Sequence, residues 1–575
     1  MSASSTPEGR GQTVSDLLVD EATAEDLRQA SLAFPSLTLS TRQQCDLELL
    51  INGGFSPLKG FMDRAAYDAV VAGCRLPDGA LWPMPVVLDV DGDFAQKLEP
   101  GSKVALRDAE GFMPAVLTVT QVWEADKGQE AEGVYGTRSS DHPGVRYLYE
   151  RVKSHYVGGT LEGMGILAHH EFENLWDTPK ELRRLFRKMG WRRVIAFHTT
   201  DAMHKLHRRL ILDAAKENQA HILVHPAVGE TKPGDLHHFA RVHCYKAVRK
   251  HLPHEMTALS LLPLAMRMAG PREALWHAII NRNYGCTHFI VGPDHGSPPR
   301  DSSDRFYAKY AAQEFVQGYL DEVGIEVIAQ PEYRYVPARR AFVPEGEILA
   351  DGLESTSLSK SGLKNLLVQN REIPEWFSYP EVIEQLRRVF PPRSRQGFTL
   401  FFTGLSGSGK STLANIIFAK LIEAGGRPVS LLDGDIVRQN LSSELGFSKV
   451  HRDLNIRRIG FVASEIIKNG GVAICAPIAP YMETRRAVRE LIEEQGAFIE
   501  IHVSTSLDVC ESRDRKGLYA KARKGIIPEF TGISDPYEVP EHPELRIDTG
   551  ELSPSEAVQE ILLYLFKEGY LDDEA

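Results

Sequence analysis

No apolar run in this chain approaches the roughly 20 residues that cross a bilayer, so no membrane-spanning helix is expected. The N-terminal stretch, residues 1–16, is polar and lacks the apolar core of a secretory signal. It reads as part of a disordered leader, residues 1–28, and the protein as cytoplasmic. Cysteine is scarce: six residues stand singly (Cys45, Cys74, Cys244, Cys286, Cys475 and Cys510), and none forms a C-x-x-C pair. That spacing suggests neither a zinc ribbon nor a disulfide framework. A long basic block is also missing, and the net charge is −12. Non-specific nucleic-acid binding depends on clustered Lys and Arg, so no nucleic-acid partner is expected. Small anionic substrates stay open, because a few local amides and cations hold them whatever the overall charge.

What is present is ample material for several cores. The chain has 575 residues, 42% hydrophobic and 25% charged, an ordinary globular balance with room for three or four domains. Up to about residue 160, short apolar runs such as 85–90 and 115–119 alternate with Gly, Pro and Asp clusters, a β-rich pattern. From about 170 to 325, strand-like runs at 194–197, 222–224 and 289–291 alternate with helical stretches, as in a parallel α/β sheet. Residues 326–390 are mixed. A Pro-, Arg- and Gly-containing linker, 391–397, then leads into a second α/β region, 398–575.

The strongest motif is Gly404-Leu-Ser-Gly-Ser-Gly-Lys410-Ser411, a G-x-x-x-x-G-K-[ST] loop between a predicted strand, 398–403, and a predicted helix, 412–422. Its glycines let backbone N–H groups wrap an anion, and the helix N-terminus adds a favourable dipole. Lys410 is expected at the β- and γ-phosphates and Ser411 on Mg²⁺. Such a loop implies nucleotide binding and leaves the acceptor open. The next predicted strand ends in Asp433-Gly434-Asp435, where a carboxylate could serve the metal or take a proton from an attacking hydroxyl; D-G is also a common plain turn. Arg438, Arg452, Asn455, Arg457 and Arg458 follow, suited to an anionic second substrate or to a solvated helix face. Phe447, read alone, is better placed in the core than on a base. The basic stretch Arg513 to Arg523 reads as a mobile lid over phosphates or as a charged helix.

These segments resemble APS kinase, which phosphorylates adenosine 5′-phosphosulfate (APS) to PAPS. GLSGSGKST, LLDGDIVR, NLSSELGFS, RDLNIRRIG, KGLYAKAR and FTGISDPYE carry the likeness over nearly all of 398–550. The resemblance implies ATP contacts at Gly404, Ser406, Gly407, Ser408, Gly409, Lys410, Ser411, Thr412, Arg513 and Lys516. It implies APS contacts at Asp433, Asp435, Arg438, Phe447, Arg452, Asn455 and Phe530, with the adenine between the two Phe rings. Asp435 and Lys410 are the implied catalytic pair. Two positions depart from the pattern: Ala479 stands where a Ser is usual, which leaves direct in-line transfer as the mechanism, and His451 stands where many members have Asp.

Residues 50–380 resemble ATP sulfurylase, which makes APS and pyrophosphate from ATP and sulfate. The likeness rests on Gly53-Gly-Phe-Ser-Pro-Leu58, Trp82-Pro-Met-Pro, His142-Pro-Gly, Lys232-Pro-Gly-Asp235, 259–288 and Ile373-Pro-Glu-Trp-Phe-Ser-Tyr-Pro380. It implies a PUA-like β-rich domain (29–165), a Rossmann-like nucleotidylyltransferase domain (166–325), a small α/β subdomain (326–390) and the P-loop kinase domain. It also implies a homo-oligomer, with a hexamer built through the sulfurylase-like part as one form. The family's Q-T-R-N-P-x-H-x-x-H reads here His198-Thr199-Thr200-Asp201-Ala-Met-His204-Lys-Leu-His207, and G-R-D-H reads Gly292-Pro293-Asp294-His295. Both arginines, donors to sulfate and phosphate, are gone, and Asp201 adds a negative charge. The expectation is a working kinase with a degenerate, scaffold-like or regulatory sulfurylase part, with Lys205 or Arg300 as candidate substitutes for the lost charge. A true bifunctional PAPS synthetase and a non-catalytic nucleotide-binding regulator are the alternatives. A His204–His207 metal pair is a minor further reading.

Overall fold

The computed structural model describes residues 14–232, 235–299, 305–514 and 516–571; the side chain of Asp435 lies outside this set. The chain divides into two compact units, Met1–Leu358 with Pro374–Gln385, and Ser359–Ile373 with Leu386–Ala575. The stretch expected as a small subdomain, 326–390, is thus shared. Its hairpin, Tyr333–Val336 against Ala341–Pro344, belongs to the first unit, and the helix Lys360–Val368 to the second.

The first unit opens with a six-stranded sheet. Its longest ladder pairs Ala115–Glu124 antiparallel with His155–Gly163, through an irregularity between Val119 and Gln121. The expected leader is overturned from residue 14 on; residues 1–13 lie outside the described set. A helix, Glu21–Ala30, starts where the Asp20 side chain accepts from the Thr23 N–H. Its Ala24 and Leu27, three apart on one face, are buried, and Leu27 packs with Ala105, Met113 and Val116 of the sheet.

The second sheet of this unit is five-stranded and wholly parallel: Glu326–Ala329, His288–Val291, Val194–Phe197, His221–Val224, Thr257–Leu259. Val194–Phe197 and His288–Val291 are buried at every position, which is why they read as continuous apolar runs rather than alternating ones. The helices Lys205–Glu217, His238–Arg249 and Pro271–Asn283 accompany it.

The second unit holds another five-stranded parallel sheet: Val429–Asp433, Val472–Ala476, Phe398–Thr403, Ala497–Val503, Leu545–Ile547. Phe398, Leu400 and Phe402 pack on one side with Ile417, Leu421 and Ile561; Phe401 packs on the other with Ile459, Ala463 and Val488. Each such side chain contributes roughly 1.5–3 kcal/mol by leaving water. The first strand in sequence sits in the middle, so successive connections leave it in opposite directions. The crevice this opens at the C-terminal strand ends is where such sheets bind ligands. Among the described residues no helix is long and apolar enough to cross a membrane.

Candidate functional site

The central strand Phe398–Thr403 runs straight into the predicted phosphate loop, and the helix Lys410–Ala424 starts at its far end. Gly409, with φ +104°, turns the chain into that helix; a Cβ there would meet Thr549 Cγ2 at 3.0 Å. A Cβ on Gly404 would lie 2.5 Å from the Val503 carbonyl oxygen. Glycine is therefore required at both ends by backbone conformation and by close approach.

The loop is braced from behind by Thr505 and Thr549, which no sequence motif singled out, and by Tyr519 and Arg513 of the basic stretch. Thr505 Oγ1 donates to the Ser408 carbonyl at 3.1 Å, Thr549 Oγ1 to the same carbonyl at 2.8 Å, and Tyr519 Oη to the Ser406 carbonyl at 2.7 Å. Arg513 grips Thr549 through Oγ1 (2.8 Å) and carbonyl (2.7 Å). Lys410 Nζ donates to the carbonyls of Gly404 (2.9 Å) and Leu405 (2.6 Å), and its burial pulls the amine down to about 8. Ser408 Oγ is buried and has no hydrogen-bond partner among the described residues.

Ser411 Oγ donates to Asp433 Oδ2 at 2.8 Å. This juxtaposition of a hydroxyl and a carboxylate at the mouth of a phosphate loop fits Mg²⁺, which takes hard oxygen ligands and keeps several waters. It also sets Asp433, expected with the acceptor, beside the residue expected on the metal.

The acceptor side is built on the helix Lys449–Lys468 and the turn before it. Arg438 donates to the carbonyls of Leu445 (3.2 Å) and Gly446 (3.1 Å), and its guanidinium lies 4.3 Å from the Phe447 ring centroid. Phe447 is 67% exposed, so the reading of it as a core residue is overturned. A ring that a cation holds open to solvent has a free face for stacking. His451 Nδ1 accepts the Gly446 N–H at 2.9 Å, so the residue that replaces the usual Asp anchors the same turn. Arg452 bonds Thr531 Oγ1 (2.9 Å), Tyr481 Oη (2.8 Å) and Asp535 (2.9 Å), and Tyr481 Oη donates to Asp535 at 2.7 Å. Asn455 is buried, and its Oδ1 has no hydrogen-bond partner among the described residues. Phe530 meets Tyr519 edge-on at 5.0 Å. Leu405 and residues 532–537 line a recess of about 540 Å³ beside these groups.

Two expected anion contacts do not join this side. Arg458 pairs with Glu444 at 2.6 Å and donates to the Leu441 carbonyl, while Arg457 lies on the exposed face of the helix. At 3.6 residues per turn the same helix cannot aim 452, 455, 457 and 458 one way. Ala479 is buried with φ +44°, offers no hydroxyl, and its carbonyl is taken by Arg485 at 2.8 Å.

In the first unit, the motif residues gather where the strands Val194–Phe197, His221–Val224 and His288–Val291 end. The His198 ring lies 4.3 Å from His277 and 5.9 Å from His295, and His277 Nδ1 is 2.9 Å from His295 Nε2. Burial holds His198 and His295 well below the ordinary imidazole range, so both are neutral at pH 7. Thr199 Oγ1 accepts the Asp201 N–H at 3.0 Å. The Thr200 carbonyl accepts from Arg241 at 3.3 Å, and that guanidinium also donates to the carbonyls of Ala227 and Leu236. Pro293 gives its carbonyl to the Tyr310 N–H at 2.9 Å, and Asp294 faces Arg305 at 3.4 Å. Lys205, a candidate substitute cation, donates instead to the Glu375 carbonyl; Arg300 lies outside the described residues. The minor reading of His204 and His207 as a metal pair gains no third ligand. His204 Nδ1 bonds Ser378 Oγ at 2.8 Å, His207 Nδ1 accepts the His204 N–H at 3.0 Å, and no metal-holding cluster occurs among the described residues.

A nucleotide-type phosphate loop on one sheet and a nucleotidylyltransferase-type strand-end site on another define a two-unit transferase. Comparison with known proteins agrees. Residues 173–389 match the ATP-sulfurylase family, 396–548 the adenylylsulphate kinase family, and 5–165 a PUA-like domain. Sulfate adenylyltransferase from Chaetomium globosum is 48% identical over 98% of this chain and 99% of its own, and that from Aspergillus oryzae 47% over the same shares. A hexameric APS kinase from Thiobacillus denitrificans superposes with a TM-score of 0.80 at 41% identity, covering 98% of this chain and 99% of the other. The chain belongs to the sulfate adenylyltransferase family, in the fused form that carries an adenylylsulphate kinase domain.

Proposed function

We propose that the second unit transfers the γ-phosphoryl group of Mg·ATP to the 3′-hydroxyl of APS, giving PAPS and ADP, and that the first unit makes little APS. The observation that carries the kinase reading is the complete phosphate loop with Ser411 and Asp433 in contact, facing an acceptor side that holds Arg452, Asn455 and an exposed Phe447. In the reaction, the 3′-oxygen bonds to the γ-phosphorus as the bond to the β,γ-bridging oxygen breaks. ADP leaves, and Asp435 takes the hydroxyl proton. That role rests on the position of Asp435, two residues past Asp433 at the strand end. Lys410 releases its loop carbonyls and turns to the β- and γ-phosphates. Ser411 and Asp433 would hold Mg²⁺, which would supply positive charge against the phosphates. Arg452, fixed by Tyr481 and Asp535, and Asn455 orient APS, while Phe447 and Phe530 take its adenine. The enzyme works as a homo-oligomer in the cytoplasm.

The case for a quiet first unit is the loss of two guanidinium donors at Thr200 and Pro293, with Arg241 and Lys205 spent on carbonyls. A missing donor of this kind costs about 10²–10³ in rate. A second reading, a bifunctional chain that also makes APS from ATP and sulfate, is favoured by the name sulfate adenylyltransferase borne by relatives at 47–48% identity. The comparisons favour this second reading over a silent first unit.

The kinase reading is tested by ADP formation from ATP in the presence and absence of APS. APS-dependent turnover is expected, and Asp435→Asn should keep ATP binding while turnover drops at least 100-fold. Absence of APS-dependent turnover in the wild type would leave a nucleotide-binding regulator. Sulfate-dependent pyrophosphate release decides between the two readings of the first unit.

A further inference from the structure

The turn that precedes the helix Lys449–Lys468 is clamped from two sides, by groups of unlike chemistry. Arg438, on the helix Gly434–Asn440, donates to the carbonyls of Leu445 and Gly446 at 3.2 and 3.1 Å. His451, in the first turn of the longer helix, accepts the Gly446 N–H on Nδ1 at 2.9 Å. The ring stands so near that a Cβ on residue 446 would meet Nδ1 at 3.2 Å. Both sides of Gly446 are thus held, and the next residue, Phe447, presents its exposed ring with Arg438 at 4.3 Å from the centroid. The guanidinium is charged at any pH the fold survives. The imidazole is not so constant. Nδ1 accepts an N–H only with its lone pair, so His451 holds the turn only as the neutral ring protonated at Nε2.

We propose that His451 is a positioning residue that makes APS binding depend on pH: the neutral ring fixes the turn that presents Phe447, and protonation releases it. Protonation acts twice. It sets an Nδ1–H donor against the Gly446 N–H donor, and it adds positive charge to the first turn of a 20-residue helix, where the helix dipole disfavours a cation. The charged groups around the ring are engaged elsewhere. Glu444, in the turn and within electrostatic reach of His451, pairs with Arg458 at 2.6 Å. Arg438 is spent on the two carbonyls. On the histidine's own helix, Lys449 lies 4.7 Å from the Tyr481 ring centroid, Arg452 is bound by Tyr481 and Asp535, and Asp453 accepts from Thr484 Oγ1 at 2.7 Å. A carboxylate at position 451 would stay ionised above about pH 5 and carry no such switch; the response belongs to the histidine of this chain. The inference rests on the kinase reading above and adds to it a residue that sets APS affinity without touching APS.

APS-dependent ADP formation by the full chain, with Mg·ATP saturating, tests it between about pH 5.5 and 7.5, the range in which imidazole exchanges its proton. This window lies below the value of about 8 at which Lys410 titrates. In the wild type the KM for APS should rise about fivefold or more from the top of the window to the bottom, because only the fraction of molecules with a neutral ring binds well. His451→Asp and His451→Asn keep an acceptor that does not titrate there, so their KM should stay level to within about twofold, while kcat follows the same pH course in all three proteins. His451→Ala has no acceptor, and its KM should be raised already at pH 7.5 and stay level below it. Independently of turnover, hydrogen exchange in peptides that contain Gly446, corrected for the intrinsic pH dependence, should lose protection towards pH 5.5 in the wild type and not in His451→Asn. A level wild-type KM, or a slope that persists in His451→Asn and His451→Ala, would overturn the inference and leave the kinase reading standing. Absence of APS-dependent turnover at every pH would overturn the kinase reading and this inference with it.

Discussion

The two units place their candidate sites alike, at the C-terminal ends of five-stranded parallel sheets, and fill them differently. In the second unit the strand ends carry a loop of backbone donors, a buried lysine, a hydroxyl and a carboxylate, every one of which suits polyphosphate and its metal. In the first they carry neutral imidazoles, a threonine, a proline and two aspartates, Asp201 and Asp294. The sheet supplies the crevice, and the donors decide what can be done in it. Charge is the sharpest difference. Lys410 is held in the second unit with only carbonyls to satisfy it, ready for an anion, whereas Arg241 in the first is committed to three carbonyls.

The comparison can be broken at its strongest point first. Lys410→Ala should lower APS-dependent ADP formation by about 10²–10³ or more, and leave any sulfate-dependent pyrophosphate release as it was. Loss of both together would mean that the sites are not separable. Next, restoring the absent donors with Thr200→Arg and Pro293→Arg should raise sulfate-dependent pyrophosphate release at least tenfold. No change, with nucleotide binding intact, would place the deficit elsewhere, in Asp201 or the imidazole cluster.

A smaller effect is expected at Asn455, whose buried Oδ1 awaits a donor. Asn455→Leu should raise the KM for APS roughly tenfold while the thermal midpoint stays level or rises, because an unsatisfied buried polar group costs about 1–3 kcal/mol. A fall in midpoint without a KM effect would make Asn455 structural.

The last effect is a pH dependence. Burial lowers Lys410 to about 8 from 10.5, so between those values the unfolded chain binds a proton that the folded one does not. Stability of the nucleotide-free second unit should therefore be lowest below pH 8 and rise through pH 8–10.5. Bound polyphosphate needs the ammonium form, so ATP affinity should fall over the same window, with proton uptake on binding visible by calorimetry in buffers of different ionisation enthalpy. ATP binding without proton uptake at pH 9 would contradict this.

Sequence reasoning reached what local pattern encodes. The loop Gly404–Ser411 is legible because glycine, lysine and serine must stand at fixed offsets between a strand and a helix, and both parallel sheets are legible because doubly covered strands are continuously apolar. It missed what depends on distant pairing. Thr505 and Thr549 brace the Ser408 carbonyl from 97 and 141 residues away, and the Arg452–Tyr481–Asp535 triad spans three separate segments; neither leaves a local signature. The helix Glu21–Ala30 was hidden by the polar stretch before it, although Asp20 as a cap and the Ala24–Leu27 spacing were there to be read. Phe447 read alone suggests core because an isolated aromatic usually is, and only the neighbouring Arg438 shows what holds it out.

Whether the first unit makes APS, as its relatives' name implies, or makes little, as its missing arginines imply, is open to direct measurement. The direct measurement follows two rates in a single purified sample: ADP from ATP plus APS, and APS from ATP plus sulfate with pyrophosphatase added. With two guanidinium donors missing from the first unit, APS-dependent turnover at least 100-fold above the sulfate-dependent rate is expected. Comparable rates in both would contradict it, and would mean that groups other than arginine at positions 200 and 293 serve the first unit.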